Sequence, residues 1–170
     1  MIPAVIALIG LLLYFNFKNW MEVAIILLTL PLSLVGGLWL VYALGYKLSV
    51  AVAVGFIALA GVSAEFGVVM LLYLDQAVHR RQQRGELRDW RELKLAITEG
   101  TLLRLRPMSM TFAIVIGGLL PIMFSHGTGA DVMKRIAAPM VGGMVTAGLL
   151  ALLVIPAVYA LWQKRRLGLR

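Results

Sequence analysis

Five apolar runs decide what this chain can fold into. A bilayer's hydrocarbon core is about 30 Å thick and a helix rises about 1.5 Å per residue, so a span needs roughly 20 predominantly apolar residues. Candidate spans fall at about 1–15, 22–44, 49–74, 107–125 and 136–162. The first is short. It begins directly in apolar sequence, Met1 to Phe15, without the basic leader or small-residue cleavage site of a secretory signal peptide, and is expected to be a span cut at its N-terminal end. Of 170 residues, 61% are hydrophobic and 14% charged. That is more apolar surface than a soluble domain of this length buries in its own core. The expected fold class is all-α, a polytopic transmembrane helix bundle of five spans with the lipid membrane as its solvent.

The formal charge of +8 would suit a nucleic-acid binder if the basic residues shared one wetted face. They are confined instead to short segments between runs that could not stay in water, so no nucleic-acid partner is expected. Their distribution sets orientation. With the tail after Trp162 in the cytoplasm, thirteen lysines and arginines lie inside: Lys18, the eight from Arg80 to Arg106, Lys164, Arg165, Arg166 and Arg170. Three lie outside, Lys47, Lys134 and Arg135. Five spans then put the N-terminus outside, as expected of a piece whose upstream neighbour also lies outside. No cysteine is present, which excludes disulfides and thiolate metal sites and leaves nine methionines as the soft ligands.

The one extended polar stretch, 75–106, carries Asp75, Glu86, Asp89, Glu92 and Glu99 among its arginines and reads as a cytoplasmic connector. Within it Trp90, Leu93, Ile97 and Leu102, with Leu95 nearby, recur at roughly helical spacing opposite Arg91, Lys94 and Glu99. That pattern predicts an amphipathic helix lying on the membrane surface. Pro107 then starts the next span, where its missing N–H costs little. Inside the spans, Gly36–Gly37, Gly117–Gly118 and Gly142–Gly143, with Gly55, Ala60, Gly61, Ala64 and Gly67 along the third, point to close helix approach. Pro31, Pro121 and Pro156 free backbone carbonyls, which either kinks the helix or opens a polar spot.

Glu65 is the most informative residue because it lies well inside the third span, far in sequence from any basic group. A charged residue at a helix centre costs roughly 2.5–3.5 kcal/mol on insertion scales, so this carboxyl is expected to be protonated, paired across helices or facing a water-filled cavity. Each option makes it sensitive to protons and suits a relay. The bland alternative is a structural hydrogen bond to a carbonyl or to Ser63. The other seven acidic residues lie in connectors or at span ends. Met133, Met140 and Met144, at offsets of seven and four, share one face at the start of the last span. Their thioethers suit Cu(I) or Ag(I), while core filler is the competing reading. His79 and His126 fall on opposite sides in the topology, which argues against a shared zinc site. No phosphate loop, catalytic triad or carboxylate pair appears, and the chain is not expected to be an enzyme or to hold a cofactor.

The run Gly55-Phe56-Ile57-Ala58-Leu59-Ala60-Gly61-Val62-Ser63-Ala64-Glu65-Phe66-Gly67-Val68-Val69-Met70 resembles heavy-metal efflux permeases of the resistance-nodulation-division superfamily. So do Arg104-Leu105-Arg106-Pro107, Gly118-Leu119-Leu120-Pro121, Ala137-Ala138-Pro139-Met140-Val141-Gly142-Gly143-Met144 and Ile155-Pro156-Ala157-Val158-Tyr159. The resemblance covers essentially the whole chain. It implies the C-terminal half of the permease membrane domain, the eighth through twelfth helices of a twelve-helix protein whose periplasmic porter domain ends just before Met1.

The glutamate run and Val132-Met133 ahead of Arg135-Ile136-Ala137-Ala138-Pro139 are closer to the copper/silver branch than to the zinc–cobalt–nickel branch. By resemblance, then, the cargo is Cu(I) or Ag(I), Glu65 is the intramembrane proton relay, and Met133 lies on the metal path. One departure stands out: the copper exporters have a lysine where this chain has Met108 after Arg106-Pro107. The resemblance further implies a bacterial inner-membrane, multi-pass location and proton-coupled antiport. Its implied partners are the remainder of the permease, a homotrimer, and periplasmic adaptor and outer-membrane channel proteins. Two other readings remain at this stage, a free-standing small multidrug or cation permease and a non-transporting membrane anchor or assembly subunit.

Overall fold

The computed structural model describes residues 2–85, 87 and 89–167; Met1, Glu86, Arg88 and 168–170, with Arg170, lie outside the described residues. The elements are α1 (Ile2–Phe17), α2 (Trp20–Ala43), α3 (Val50–Gln83), α4 (Trp90–Phe124), α5 (Ala130–Leu149), a π-helical turn (Leu150–Val154) and α6 (Ile155–Leu167). No strand occurs among the described residues, and the all-α bundle expected from the apolar runs is what forms. α2, α3, α4 and the continuous rod Ala130–Leu167 are long and apolar enough to cross a membrane, while the apolar helix Ala7–Phe17 is shorter.

Local chemistry sets the breaks between helices. Lys18 adopts a left-handed conformation (φ 55) and its N–H closes α1 onto the Tyr14 carbonyl at 2.8 Å. Tyr14 and Trp20 then stack across the break, ring centroids 4.4 Å apart. At the far end of α2, Gly45 (φ 68) lets the Tyr46 N–H return to the Val41 carbonyl at 3.1 Å, a Schellman closure that needs no side chain.

α5 occupies the centre, packed on α2, α3 and α4, and α1 packs along α2. α2 and α5 cross at close range. A Cβ on Gly36 would sit 2.7 Å from the Gly142 carbonyl oxygen, and one on Gly142 would sit 2.6 Å from Leu40 Cβ, so neither position admits a side chain. Thr146 Oγ1 crosses the same interface to donate to the Ser33 carbonyl at 2.8 Å. With lipid tails as apolar as leucine, such close backbone approach and interhelical hydrogen bonding hold helices together. Gly61, Gly117 and Gly118 differ from the expectation of close approach, since nothing lies near the position of a Cβ on any of them. The outer half of α4, with Met110, Ile114 and Phe124 exposed, lies at the edge of the bundle.

Segment 75–106 is not a separate helix laid on a membrane surface. It is the end of α3, a turn, and the first half of α4. At 34 and 35 residues, α3 and α4 are about 50 Å long, well beyond the thickness of hydrocarbon, and their polar ends pair as an antiparallel stalk. Leu93, Ala96, Ile97 and Gly100 are buried there, and a Cβ on Gly100 would lie 3.0 Å from the Tyr73 carbonyl oxygen. The apolar stripe thus meets α3 rather than lipid, although Leu95 and Leu102 remain exposed. Arg81 locks the stalk, reaching Glu92 at 3.0 Å and Glu99 at 3.1 Å.

Of the prolines, Pro31, Pro107, Pro121 and Pro139 lie within continuous helices. Pro156 follows the π turn, where the Ile155 N–H bonds to the carbonyl of Leu150, five residues back. A proline ring clashes with the carbonyl four residues earlier, and a widened turn relieves that clash.

Candidate functional site

Glu65 stands on the face of α3 turned away from the bundle. Ser63, Phe66 and Gly67 beside it are buried, whereas Glu65 shares its exposed face with Gly61 and Ile57. The ion pairs among the described residues are both at Arg81, so no basic side chain of these five helices neutralises this carboxyl. The alternative of a hydrogen bond to Ser63 is not realised, because the Ser63 hydroxyl is buried on the other side of α3 without a partner. It faces a cavity of about 10 Å³ walled by Thr29, Ser33, Ala147, Ala151 and Ile155.

Residues 1–163 match the AcrB/AcrD/AcrF family. The chain belongs to that family. It is 51% identical over 168 residues to SilA of Salmonella typhimurium and 49% identical over 168 residues to the cation efflux system protein CusA of Escherichia coli (strain K12). Each match covers 97% of this chain and 16% of the relative. The X-ray crystal structure of a heavy metal efflux pump, crystal form II, superimposes with a TM-score of 0.81 at 37% identity, over 96% of this chain and 15% of that one. This chain therefore spans about one sixth of the length of the relatives it matches.

Within this AcrB/AcrD/AcrF-family bundle, the three methionines have different surroundings. Met133 is 56% exposed at the start of α5, Met140 is half-buried, and Met144 is fully buried in the core. Eleven residues of helix separate the first from the last, about 16 Å, so the three sulfurs do not converge on one ion. Met108 is buried and lines an apolar groove of about 240 Å³ with Phe112, Val145 and Gly148. The arginine one turn earlier, Arg104, lies over the Tyr73 ring at 5.9 Å. No group of three or more His, Cys, Asp or Glu among the described residues is placed to hold a metal ion.

One polar constellation of the family bundle escaped the sequence reading. Glu22, in the first turn of α2, is 1% exposed and accepts a hydrogen bond from the Asn19 side-chain amide at 3.0 Å. Nearby, the fully buried Tyr159 hydroxyl of α6 donates to Asp75 Oδ1 of α3 at 3.2 Å, and Gln163 Nε2 donates to that hydroxyl at 3.5 Å. Asn19, Asp75, His79, Gln82, Gln163 and Arg166 border a cavity of about 320 Å³ at this end. An Asn at the helix cap followed three residues later by Glu is the spacing of a capping box and was the available signal. Its position at a span end made it look solvated.

Proposed function

We propose that this chain is the proton-coupling membrane portion of an inner-membrane permease that exports soft heavy-metal cations, Cu(I) or Ag(I), and that it performs transport without bond chemistry or a resident cofactor. The observation that carries the reading is Glu65, the carboxyl at mid-span of a long apolar helix, on a face that no other helix covers. A charge there is costly in lipid, so the face calls for a neighbouring helix, and the rest of the permease is its natural source. Similarity to cation efflux proteins over nearly the whole chain supports the cargo class, as does the preference of thioether sulfur for Cu(I) and Ag(I).

In this reading Glu65 takes a proton from the outer side, its loss of charge changes how the covering helix packs, and metal moves outward as the proton moves in. One elementary charge crossing 100 mV yields about 2.3 kcal/mol, so the alternating states need differ by only a few kcal/mol. Met133, exposed at the start of α5, is the methionine available to incoming metal; Met140 and Met144 lie deeper. A trimeric permease joined to periplasmic adaptor and outer-membrane channel proteins completes the proposal.

The test joins this segment to the rest of a matching permease and measures silver and copper tolerance of cells, with Glu65→Gln beside the unmodified form. Tolerance lost at equal membrane expression is the expected result. Unchanged tolerance returns Glu65 to a structural role and favours a packing or anchoring subunit.

A further inference from the structure

A proton that enters at Glu65 has to leave at the other end of the bundle, and the structure holds a second carboxyl site there. Asp75 lies ten residues beyond Glu65 on α3, about 15 Å along the helix, at the end where the basic residues cluster and which their asymmetry places in the cytoplasm. Glu22 on α2 is 1% exposed, with the neutral Asn19 amide as its hydrogen-bond partner. Asp75 is exposed at the cavity wall, and the buried Tyr159 hydroxyl reaches it at 3.2 Å. Gln163 is 5% exposed, borders the cavity of about 320 Å³, and has a buried carbonyl oxygen with no protein partner. Such an oxygen is a site for ordered water. The charged and titratable groups around this space are Asp75 and His79 on α3 and Tyr159 and Arg166 on α6.

We propose that Glu22, whose partner Asn19 borders the cavity, and Asp75, which Tyr159 and Gln163 hold at its wall, form through cavity water the cytoplasmic proton-release site of the transport cycle. The inference rests on the antiport reading given above. The buried acid gives its proton through cavity water to the exposed carboxylate, leaving Glu22 as the carboxylate and Asp75 as the acid; Asp75 then yields the same proton to bulk water. Three helices, α2, α3 and α6, contribute to the site, so its state is tied to how those helices pack. Buried Ile25, Ile26, Phe66, Met70 and Leu71 lie between this site and the level of Ser63, so a proton from Glu65 passes that apolar stretch only when the helices repack, and the site does not conduct protons continuously.

The test uses the permease carrying this segment in lipid vesicles, read by infrared difference spectra of protonated carboxyls after a pH step and by proton release to an interior dye. Glu22→Gln is expected to remove one carboxyl band and slow release, and Asp75→Asn and Tyr159→Phe to shift that band. Glu65→Gln removes a different band. A pH-difference spectrum and release rate unchanged by Glu22→Gln overturn the proposal. Should Glu22→Gln fail to assemble, Tyr159→Phe decides, and an unchanged band and rate overturn it equally. A Glu65 band that titrates beside a silent Glu22 sinks the release site alone, whereas a titrating Glu22 beside a silent Glu65 sinks the antiport reading and the release role that rests on it.

Discussion

Glu65 and Glu22 are both carboxyls within apolar helices, but Glu65 is exposed at mid-span and Glu22 is buried in a first turn. Glu65 lies at the middle of a span, where hydropathy alone marks a charge as anomalous. Glu22 lies at a span's edge, where sequence does not distinguish a wetted carboxyl from a buried one. The methionines show the same limit. Their helical spacing put them on one face, but a face eleven residues long passes from the surface to the core. Met144→Leu, a volume-conserving change in the core, is expected to cost less than about 1.5 kcal/mol in thermal unfolding and to leave silver tolerance intact. Met133→Leu at the exposed end is expected to lower silver tolerance while leaving the unfolding temperature unchanged. Equal effects of the two on tolerance would remove Met133 from the metal path.

The same division holds for the helices. Apolar runs point to long helices because a membrane helix has to satisfy its backbone internally and be apolar for its whole crossing. The polar continuations of α3 and α4 carry no such signature. An apolar stripe at helical spacing reads alike whether it faces lipid or another helix, which is why Leu93 and Ile97 suit a membrane surface by spacing yet lie buried in the core cluster. Arg81 bridges that stalk in a partly exposed setting, and exposed ion pairs are worth little. Arg81→Gln is therefore expected to lower stability by less than about 1 kcal/mol, with faster hydrogen exchange across 84–92 as the sensitive readout. The α2–α5 crossing should respond far more. Gly36→Val forces the helices apart and is expected to cost about 1–3 kcal/mol or more, visible as loss of the folded bundle in detergent titration. Pro156→Ala removes the ring that the π turn accommodates and is expected to return Leu150–Val154 to ordinary α-helical bonding, which isotope-edited infrared spectra of the labelled turn would detect.

For the whole molecule, α5 is enclosed by α2, α3 and α4. The outward face of α3 presents Glu65 and Gly61, and the outer half of α4 presents Gly117 and Gly118, each glycine with room for a close neighbour. Small residues and a carboxyl are the features that another helix uses for packing and recognition in a membrane. Removing the carboxyl should therefore separate folding from function. Glu65→Leu is expected to raise the membrane yield of the segment made by itself, by relieving an insertion cost of roughly 2.5–3.5 kcal/mol. The same change should abolish metal tolerance once the segment is joined to a permease. A yield unchanged by the substitution would mean that the carboxyl is already neutralised within this chain. The open face also has a consequence for the cell that makes the protein. Copies whose covering helix fails to fold would display an unpaired acid and bare glycines to lipid, the kind of surface by which unassembled membrane proteins are retained and degraded. Quality control in the membrane would then read whether α3 is covered.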